Sequence, residues 1–214
     1  MEGIQETSEE WRYRFFFDHG FLRSCYQNYW KIDEKVYRSA QPSPLMLNYL
    51  KEQGFKTIVN LRGSRDDLVD QMEKRICRNL KLILIDFKMH SRAAPLKEQI
   101  IASKELFEKI KYPALLHCKS GADRTGIMSA LYLIFKGEEV SYAKSQLSIK
   151  YLHIKLAKSG ILDEFFEKYI VYQKKYGEIN FWHWVSKIYN PDEVKNSFKV
   201  NILRTFLDKI TNRE

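Results

Sequence analysis

Short apolar runs alternate with amphipathic stretches along the first two thirds of the chain. The runs are rich in aliphatic and β-branched residues, which predicts strands at 56–61, 81–87 and 113–117. In the stretches between these runs, apolar residues recur at helical spacing. This predicts helices at 44–53, 66–78 and 95–110, the last with Pro95 at its first position. This alternation predicts an α/β fold with a central, mostly parallel sheet of four or five strands flanked by helices.

After the third apolar run the pattern becomes entirely helical. A buried helix is expected from about residue 124, and Gly137 is expected to end it. The further predicted helices are 139–150, 160–175, 179–189 and 192–210. The α/β part is therefore expected to carry an added C-terminal helical segment.

The ten residues His117 to Gly126, His-Cys-Lys-Ser-Gly-Ala-Asp-Arg-Thr-Gly, connect the third strand to the buried helix. Backbone N–H groups and the dipole at a helix N-terminus favour a bound anion and the thiolate form of a cysteine. Arg124 stands six positions after Cys118 and offers a planar fork of donors for two phosphoryl oxygens. We interpret this segment as a phosphate-binding loop in which Cys118 is the nucleophile.

The other residues of the loop fit the same chemistry. Gly121 allows a left-handed backbone and a close approach to a ligand, and the Thr125 hydroxyl is placed to stabilise the departing thiolate. His117 is expected to orient the loop rather than to carry protons. The residues expected to bind phosphate are Lys119, Ser120, Gly121, Ala122, Asp123 and Arg124.

This signature resembles that of the cysteine-dependent protein tyrosine phosphatase superfamily, and the chain looks most like its compact dual-specificity group and their bacterial relatives. A second stretch, Val36-Tyr37-Arg38-Ser39-Ala40-Gln41-Pro42, resembles the Tyr-Arg-Ser-Ala-Gln-Pro motif of those bacterial enzymes. The segment 54–62 resembles their next turn and strand. The resemblance implies a phosphatase that hydrolyses phosphate monoesters through a phosphocysteine intermediate.

Domain limits follow from the extent of this resemblance, which covers about residues 35 to 170. We expect an N-terminal extension packed on the domain at 1–34, a phosphatase catalytic domain at 35–176 and a C-terminal helical extension at 177–214. Within the catalytic domain, Arg38 and Arg62 either support the loop or are ordinary solvated charges at strand ends.

Two aspartates compete for the role of general acid, which must protonate the leaving oxygen. Asp86 lies 32 residues before Cys118, about where compact dual-specificity phosphatases carry their acid, but its surroundings read as a strand end. Asp123 lies inside the loop, as in phosphoinositide-directed members of the superfamily, and is slightly favoured. The segment from His90 to Arg92 is a third alternative, since that loop faces the site in relatives.

Two substrate classes also remain open. The first is a phosphorylated protein, cleaved by a tyrosine or dual-specificity phosphatase. The second is an anionic phospholipid, an inositol phosphate or a glycolipid headgroup, because Lys119 resembles the lysine with which phosphoinositide phosphatases bind a second phosphate. A phosphate-binding pseudoenzyme is disfavoured by the intact Cys118, Arg124 and Thr125.

Charge and composition narrow the partners further. The chain has 36 basic and 27 acidic residues, a net charge of +9, which would concentrate anionic substrates or simply keep the protein soluble. No nucleic-acid-binding motif accompanies the charge, and the histidines show no metal-ligand spacing, so neither nucleic acid, metal nor cofactor is expected.

The aromatic and basic stretch 11–17 either packs on the domain or contacts a membrane surface. The sequence leaves the oligomeric state open.

Cysteine use and hydropathy predict a cytoplasmic location. Cysteines stand at positions 25, 77 and 118, an odd number without a framework spacing, which is typical of a reducing compartment. Cys25 or Cys77 is expected to be a small buried residue, the alternative being a protective disulfide with Cys118. No run reaches the ~18 uncharged apolar residues of a membrane span, and the N-terminus is acidic where a secretory signal is basic.

Overall fold

The computed structural model describes residues 6–17 and 26–199. Contacts divide the chain into two compact units, Met1–Met89 with Lys109–Ser129, and His90–Glu108 with Ala130–Glu214. The first unit contains every strand found in the described residues, and the second is helical. The division into segments 1–34, 35–176 and 177–214 stays a prediction.

Five strands form one sheet in the first unit. They are β1 (Trp30–Lys31), β2 (Val36–Ser39), β3 (Thr57–Asn60), β4 (Ile83–Asp86) and β5 (Ala114–His117). Their order is β1-β2-β5-β3-β4, and within this sheet only β1 runs antiparallel to its neighbour. The predicted α/β class with a mostly parallel sheet of four or five strands is therefore confirmed.

Helices occupy most of the remaining described chain. They are α1 (Ser8–Arg12), α2 (Pro44–Glu52), α3 (Leu68–Asn79), α4 (Lys97–Lys109), α5 (Asp123–Phe135), α6 (Val140–Ala143), α7 (Ile161–Tyr176), α8 (Phe181–Lys187) and α9 (191–199). Local sequence fixes several starts: the Ser43 side chain accepts from the backbone N–H of Met46 and caps α2, and Asp67 caps α3 in the same way.

Apolar side chains from α2, α3 and the sheet form a common core in the first unit. Its fully buried members include Leu47, Leu50, Ile58, Met72, Ile76 and Leu115. Each such side chain contributes about 1.5–3 kcal/mol through removal of its apolar surface from water. This core fixes β3 and β5 and thereby the strand end from which the Cys118 loop begins.

The N-terminal aromatic stretch lies partly against this unit. Tyr13 packs on the core, and Arg75 of α3 donates to Glu10 at 2.7 Å. Trp11 and Phe16 remain largely exposed. The part of the 1–34 segment that precedes residue 6 or lies within 18–25 falls outside the described residues.

The second unit has an aromatic core of its own. Phe165 and Tyr169 of α7 contact Phe181 and Trp184 of α8, and all four side chains are buried. The Tyr189 hydroxyl donates to the carbonyl oxygen of Pro95 at 2.7 Å. The described residues from 177 to 199 are thus mostly helical, and their aromatic side chains pack within this unit. None of the described helices is long and apolar enough to cross a membrane.

Two predicted helices need adjustment, and a third is described only in part. The predicted helix 139–150 is broken: α6 ends at Ala143, and two 3₁₀ turns follow at Lys144–Gln146 and Ile149–Tyr151. Ser145 and Ser148 compete for backbone hydrogen bonds and favour such breaks. Helix α4 begins at Lys97, so Pro95 precedes it rather than standing at its first position. The last helix is seen at 191–199, and the part predicted beyond lies outside the described residues.

Strand β2 was not predicted from the periodicity of the sequence. Its side chains are Val36, Tyr37, Arg38 and Ser39, and Arg38 is fully buried. A buried charge breaks the usual polar and apolar alternation on which strand prediction depends.

Candidate active site

The loop from Cys118 to Ala122 leaves the carboxyl end of β5 and enters helix α5 at Asp123. β5 lies between β2 and β3, so the loop emerges from the centre of the sheet. In parallel sheets, ligands bind at this edge, beyond the carboxyl ends of the strands. Cys118 itself is only 1% exposed. The predicted placement of the loop at a strand-to-helix junction is thus observed.

Groups from other parts of the chain bind the carbonyl oxygens of this loop. The Gln41 N–H donates to Lys119 O at 3.3 Å, Asn28 Nδ2 to Ser120 O at 3.0 Å, and Arg38 Nη2 to Gly121 O at 2.7 Å and to Ala122 O at 3.4 Å. Three residues from two segments of the first unit therefore fix the orientation of consecutive peptide groups.

Because a trans peptide is planar, each bound carbonyl turns the next N–H to the opposite side. The N–H groups of Ser120, Gly121 and Ala122 accordingly face away from Asn28 and Arg38. Within residues 6–17 and 26–199 these three N–H groups have no acceptor. Converging N–H groups of this kind form a concave site for an anion, which is preorganised before any ligand binds.

Gly121 is required by both its conformation and its surroundings. Its φ is +73°, in the left-handed region that side chains disfavour. A Cβ there would lie 2.7 Å from the backbone N of Ala40 and 2.9 Å from Asn28 Nδ2. Any larger residue would push the loop away from strand β2 and from Asn28, which binds Ser120 O.

Arg124 and Thr125 bring side-chain donors to the same loop. The Nε atom of Arg124 is buried and has no acceptor in the described part of the chain. The Thr125 hydroxyl is likewise buried without a hydrogen-bond partner among those residues, while its carbonyl oxygen accepts from Ser129. An unpaired buried guanidinium N–H is costly unless an anion satisfies it, so the arrangement fits a bound phosphoryl group.

Arg38 supports the loop, and its interpretation as a solvated charge is wrong. The side chain is fully buried, and its guanidinium holds the loop carbonyls from outside. It thereby adds a positive charge behind the anion site. Arg62 is half-buried instead, and its Nη1 donates to Gln41 Oε1 at 2.8 Å. Arg62 thus reaches the loop indirectly, through the residue whose N–H binds Lys119 O.

Asn28 is a supporting residue that sequence reasoning missed. Its side chain is 2% exposed, and Trp30 Nε1 donates to its Oδ1 at 2.9 Å. This bond orients the amide so that Nδ2 faces Ser120 O. Asn28 stands 92 positions before Ser120, so no local motif connects the two. Only its aromatic neighbours Tyr26 and Trp30 hint at a packed segment.

His117, which directly precedes the loop, lies close to Glu73, a residue that the sequence did not connect with the site. Its Nε2 lies 3.1 Å from Oε1 of Glu73 on α3, and both side chains are buried. The imidazole therefore contacts α3 through Glu73, which accords with an orienting role.

The two candidate acids occupy different positions. Asp123 is the first residue of α5, half-buried and adjacent to Arg124. Asp86 ends β4, and Asn60 stands opposite both Asp86 and His117 in the sheet register. Two strand spacings of about 4.8 Å therefore separate Asp86 from His117. The Asp86 carboxylate accepts from Asn60 Nδ2 at 2.8 Å and lies 3.9 Å from Lys74 Nζ.

The remaining predicted positions contribute less to the described site. The segment from His90 to Arg92 belongs to an irregular stretch between β4 and α4, and His90 and Arg92 are exposed. Cys77 is a free buried thiol in the core, and burial together with the nearby Glu73 raises its pKa well above the ordinary range. Cys25 lies outside the described residues.

Comparison with known proteins assigns the class. Residues 26–162 match a family described as DSP-PTPase phosphatase fused to NAD+ kinase, and these are well over half of the chain. The chain therefore belongs to this family of dual-specificity-type phosphatase domains. This family is part of the cysteine-dependent tyrosine phosphatase superfamily.

Individual relatives agree with this class. The chain is 31% identical over 108 residues to OCA1 of Mycosarcoma maydis, which is named as a tyrosine-protein phosphatase; the match covers 46% of this chain and 64% of OCA1. The core catalytic domain of the PP-IP phosphatase SIW14 from S. cerevisiae superposes with a TM-score of 0.54 at 16% identity, over 69% of this chain and 92% of that domain. TpbA of P. aeruginosa superposes with a TM-score of 0.52 at 18% identity, over 66% of this chain and 84% of TpbA. Both superpositions show the shared fold.

Proposed function

We propose that the chain removes phosphate from phosphorylated proteins, as a tyrosine or dual-specificity phosphatase that works through a phosphocysteine intermediate. The observation that carries the mechanism is the orientation of the loop, whose carbonyls are bound from outside so that its N–H groups face the anion. The name of OCA1 supports the substrate class.

In the first step, Cys118 Sγ forms a bond to phosphorus while the bond from phosphorus to the leaving oxygen breaks. Arg124 and the loop N–H groups bind the three equatorial oxygens, on which negative charge accumulates. Asp123 gives its proton to the leaving oxygen. In the second step, water attacks phosphorus, Asp123 accepts the proton, and the thiolate departs with help from the Thr125 hydroxyl.

Asp123 is proposed as the acid on grounds of position. It is the first residue of α5, directly after the Cys118 loop, whereas Asp86 lies two strands away from β5 in the sheet. Asp86 would then support the β3 and β4 ends rather than transfer protons.

Leaving-group dependence tests this assignment. Asp123→Asn should lower kcat for an alkyl phosphate by ~10²-fold, because the poor leaving group needs a proton, and should affect an aryl phosphate much less. Asp86→Asn is the matched control and should change the two substrates equally. If only Asp86→Asn lowers kcat selectively for the alkyl phosphate, Asp86 is the general acid. If neither variant lowers it, neither residue is the acid.

A second candidate function is hydrolysis of a phosphoinositide or another headgroup with more than one phosphate. Lys119 favours it, because this lysine directly follows the nucleophile and is half-buried at the loop. A lysine beside the reacting phosphate can bind a second phosphate group as a point charge.

A substrate panel separates the two functions. We expect the highest kcat/KM on phosphotyrosine peptides, compared with phosphothreonine peptides and phosphoinositides, and Lys119→Ala should then affect all substrates to a similar extent. If phosphoinositides are the best substrates and Lys119→Ala raises KM for them alone, by about tenfold or more, the protein-phosphatase proposal is wrong. Lys56→Ala is the matched control, because Lys56 is exposed at the opposite edge of the sheet.

A further inference from the structure

The segment 149–158 carries an unusual set of exposed aliphatic side chains. Ile149 is 73% exposed, Leu152 51%, Ile154 54% and Leu156 68%. Single exposed apolar residues are ordinary, but four large aliphatic side chains within eight positions form a patch. We call the set Ile149, Lys150, Leu152, Ile154, Leu156 and Lys158 the basic-aliphatic surface.

Buried neighbours hold this surface in place. Tyr151 and His153 point inward, and His153 Nε2 lies 2.7 Å from Oδ2 of the buried Asp163 on α7. The N–H groups of Tyr151 and His153 both donate to Ser148 O, at 3.0 and 3.1 Å. Leu152, which lies between these two buried residues, therefore faces solvent in a turn whose backbone is held by hydrogen bonds.

Leu152 has an unfavourable backbone conformation. Its φ is +64°, in the left-handed region that a residue with a Cβ adopts only at an energetic penalty. A glycine or asparagine would fit that backbone better and would not expose an aliphatic side chain. Strain of this kind in a surface turn points to a function for the side chain it presents.

The charged side chains within this stretch of sequence are all basic. The stretch 140–162 contains four lysines and neither aspartate nor glutamate. Lys144 is paired with Glu167 of α7, and Lys155 lies 3.9 Å from the same carboxylate. Lys150 and Lys158 are exposed beside the aliphatic residues, so positive charge flanks the apolar patch.

We propose that the basic-aliphatic surface binds the face of an anionic lipid bilayer. Aliphatic side chains would enter the boundary between headgroups and acyl chains, and the lysines would contact acidic headgroups. A protein partner fits less well, since protein interfaces are depleted in lysine and their strongest contacts come from tryptophan, tyrosine and arginine. The proposal does not depend on which phosphate ester the loop hydrolyses.

Co-sedimentation of the full chain with lipid vesicles tests this. Vesicles of phosphatidylcholine with phosphatidylserine should bind the protein, and vesicles of phosphatidylcholine alone should bind it weakly. The double variant Lys150→Glu/Lys158→Glu should lower binding roughly tenfold or more, because each lysine near an anionic surface contributes to the attraction. Lys187→Glu, at an exposed lysine of α8, should bind like the wild type.

The apolar contribution is tested separately. Ile154→Ser/Leu156→Ser should lower binding at least roughly tenfold, since both side chains would be removed from water on docking. The matched control Leu45→Ser/Val171→Ser changes two other exposed aliphatic residues and should leave binding unchanged. Circular dichroism should show that all variants remain folded, as expected for surface positions.

Three results would overturn the proposal. The first is a wild-type protein that does not bind anionic vesicles. The second is equal binding by the wild type and the surface variants. The third is a lipid-free dimer, seen by analytical ultracentrifugation, that Ile154→Ser/Leu156→Ser dissociates, which would assign the surface to a second copy of the chain.

Discussion

Replacing Cys118 with serine is expected to lower kcat at least ~10⁴-fold on every phosphate ester that the wild type hydrolyses. A hydroxyl at this position stays protonated near neutral pH, so it is a poor nucleophile in the first step. Its oxygen also leaves phosphorus poorly, so the second step is slowed as well. Steady-state kinetics with an aryl phosphate gives the most sensitive measurement, because such a substrate does not require the general acid. Substrate binding should survive, since Arg124 and the loop N–H groups are unchanged.

Cys77→Ser provides the control for this experiment. Cys77 is a buried residue of α3 in the core, and burial and then Glu73 raise its pKa, so it is an unreactive thiol. Its replacement should leave kcat within about threefold of the wild type and lower stability by about 1 kcal/mol or more, because a polar group enters the core. Substantial turnover by Cys118→Ser, or equal loss with Cys77→Ser, would show that Cys118 is not the nucleophile.

Replacing Arg124 with lysine is expected to reduce kcat/KM by roughly 10²- to 10³-fold, although the charge is conserved. Lysine cannot offer two parallel N–H donors to the phosphoryl oxygens, and its compact charge is hydrated more strongly. Loss of a preorganised donor to transition-state charge has effects of this size. The inhibition constant of inorganic phosphate should also rise, because the product occupies the same donors.

Arg62→Lys separates this effect from a general loss of positive charge. Arg62 is half-buried and donates to the Gln41 side chain, and the Gln41 N–H in turn donates to Lys119 O of the loop. Its replacement should change kcat/KM by less than about tenfold. If Arg62→Lys is as damaging as Arg124→Lys, the bidentate phosphate contact assigned to Arg124 is not what limits the reaction.

The central loop could be predicted because its chemistry is local. Cys118, Arg124 and Thr125 lie within eight consecutive residues, and the apolar strand before them and the helix after them are continuous patterns. The sheet was predictable for the same reason at β3, β4 and β5. Each is a short apolar run with a helix on either side in the sequence.

The residues that shape the loop could not be predicted, since they reach it over long stretches of chain. Asn28 lies 92 positions before Ser120, and Arg38 lies 83 positions before Gly121. Glu73 approaches His117 from a helix whose pattern only indicates an amphipathic surface. Such contacts depend on tertiary packing. The buried Arg38 also interrupts the apolar pattern of β2, so the strand that carries it could not be predicted from that pattern.

The break in the helix predicted at 139–150 has a similar origin. Apolar residues recur there at helical spacing, but the buried His153–Asp163 pair and the serines at 145 and 148 favour 3₁₀ turns. Val140 and Leu147 are buried in this stretch although the helix is broken. The periodicity did not indicate that the intervening aliphatic residues would remain exposed.

Trapping the covalent intermediate tests the central claim most directly. The wild-type protein should be mixed with excess aryl phosphate, quenched in acid during the first turnovers, digested and analysed by mass spectrometry. We predict that phosphate is found on the peptide that contains Cys118, attached to its sulfur, and that the Cys118→Ser protein gives no phosphopeptide. Turnover with phosphate on another residue, or on no residue at all, would contradict the proposed phosphocysteine mechanism.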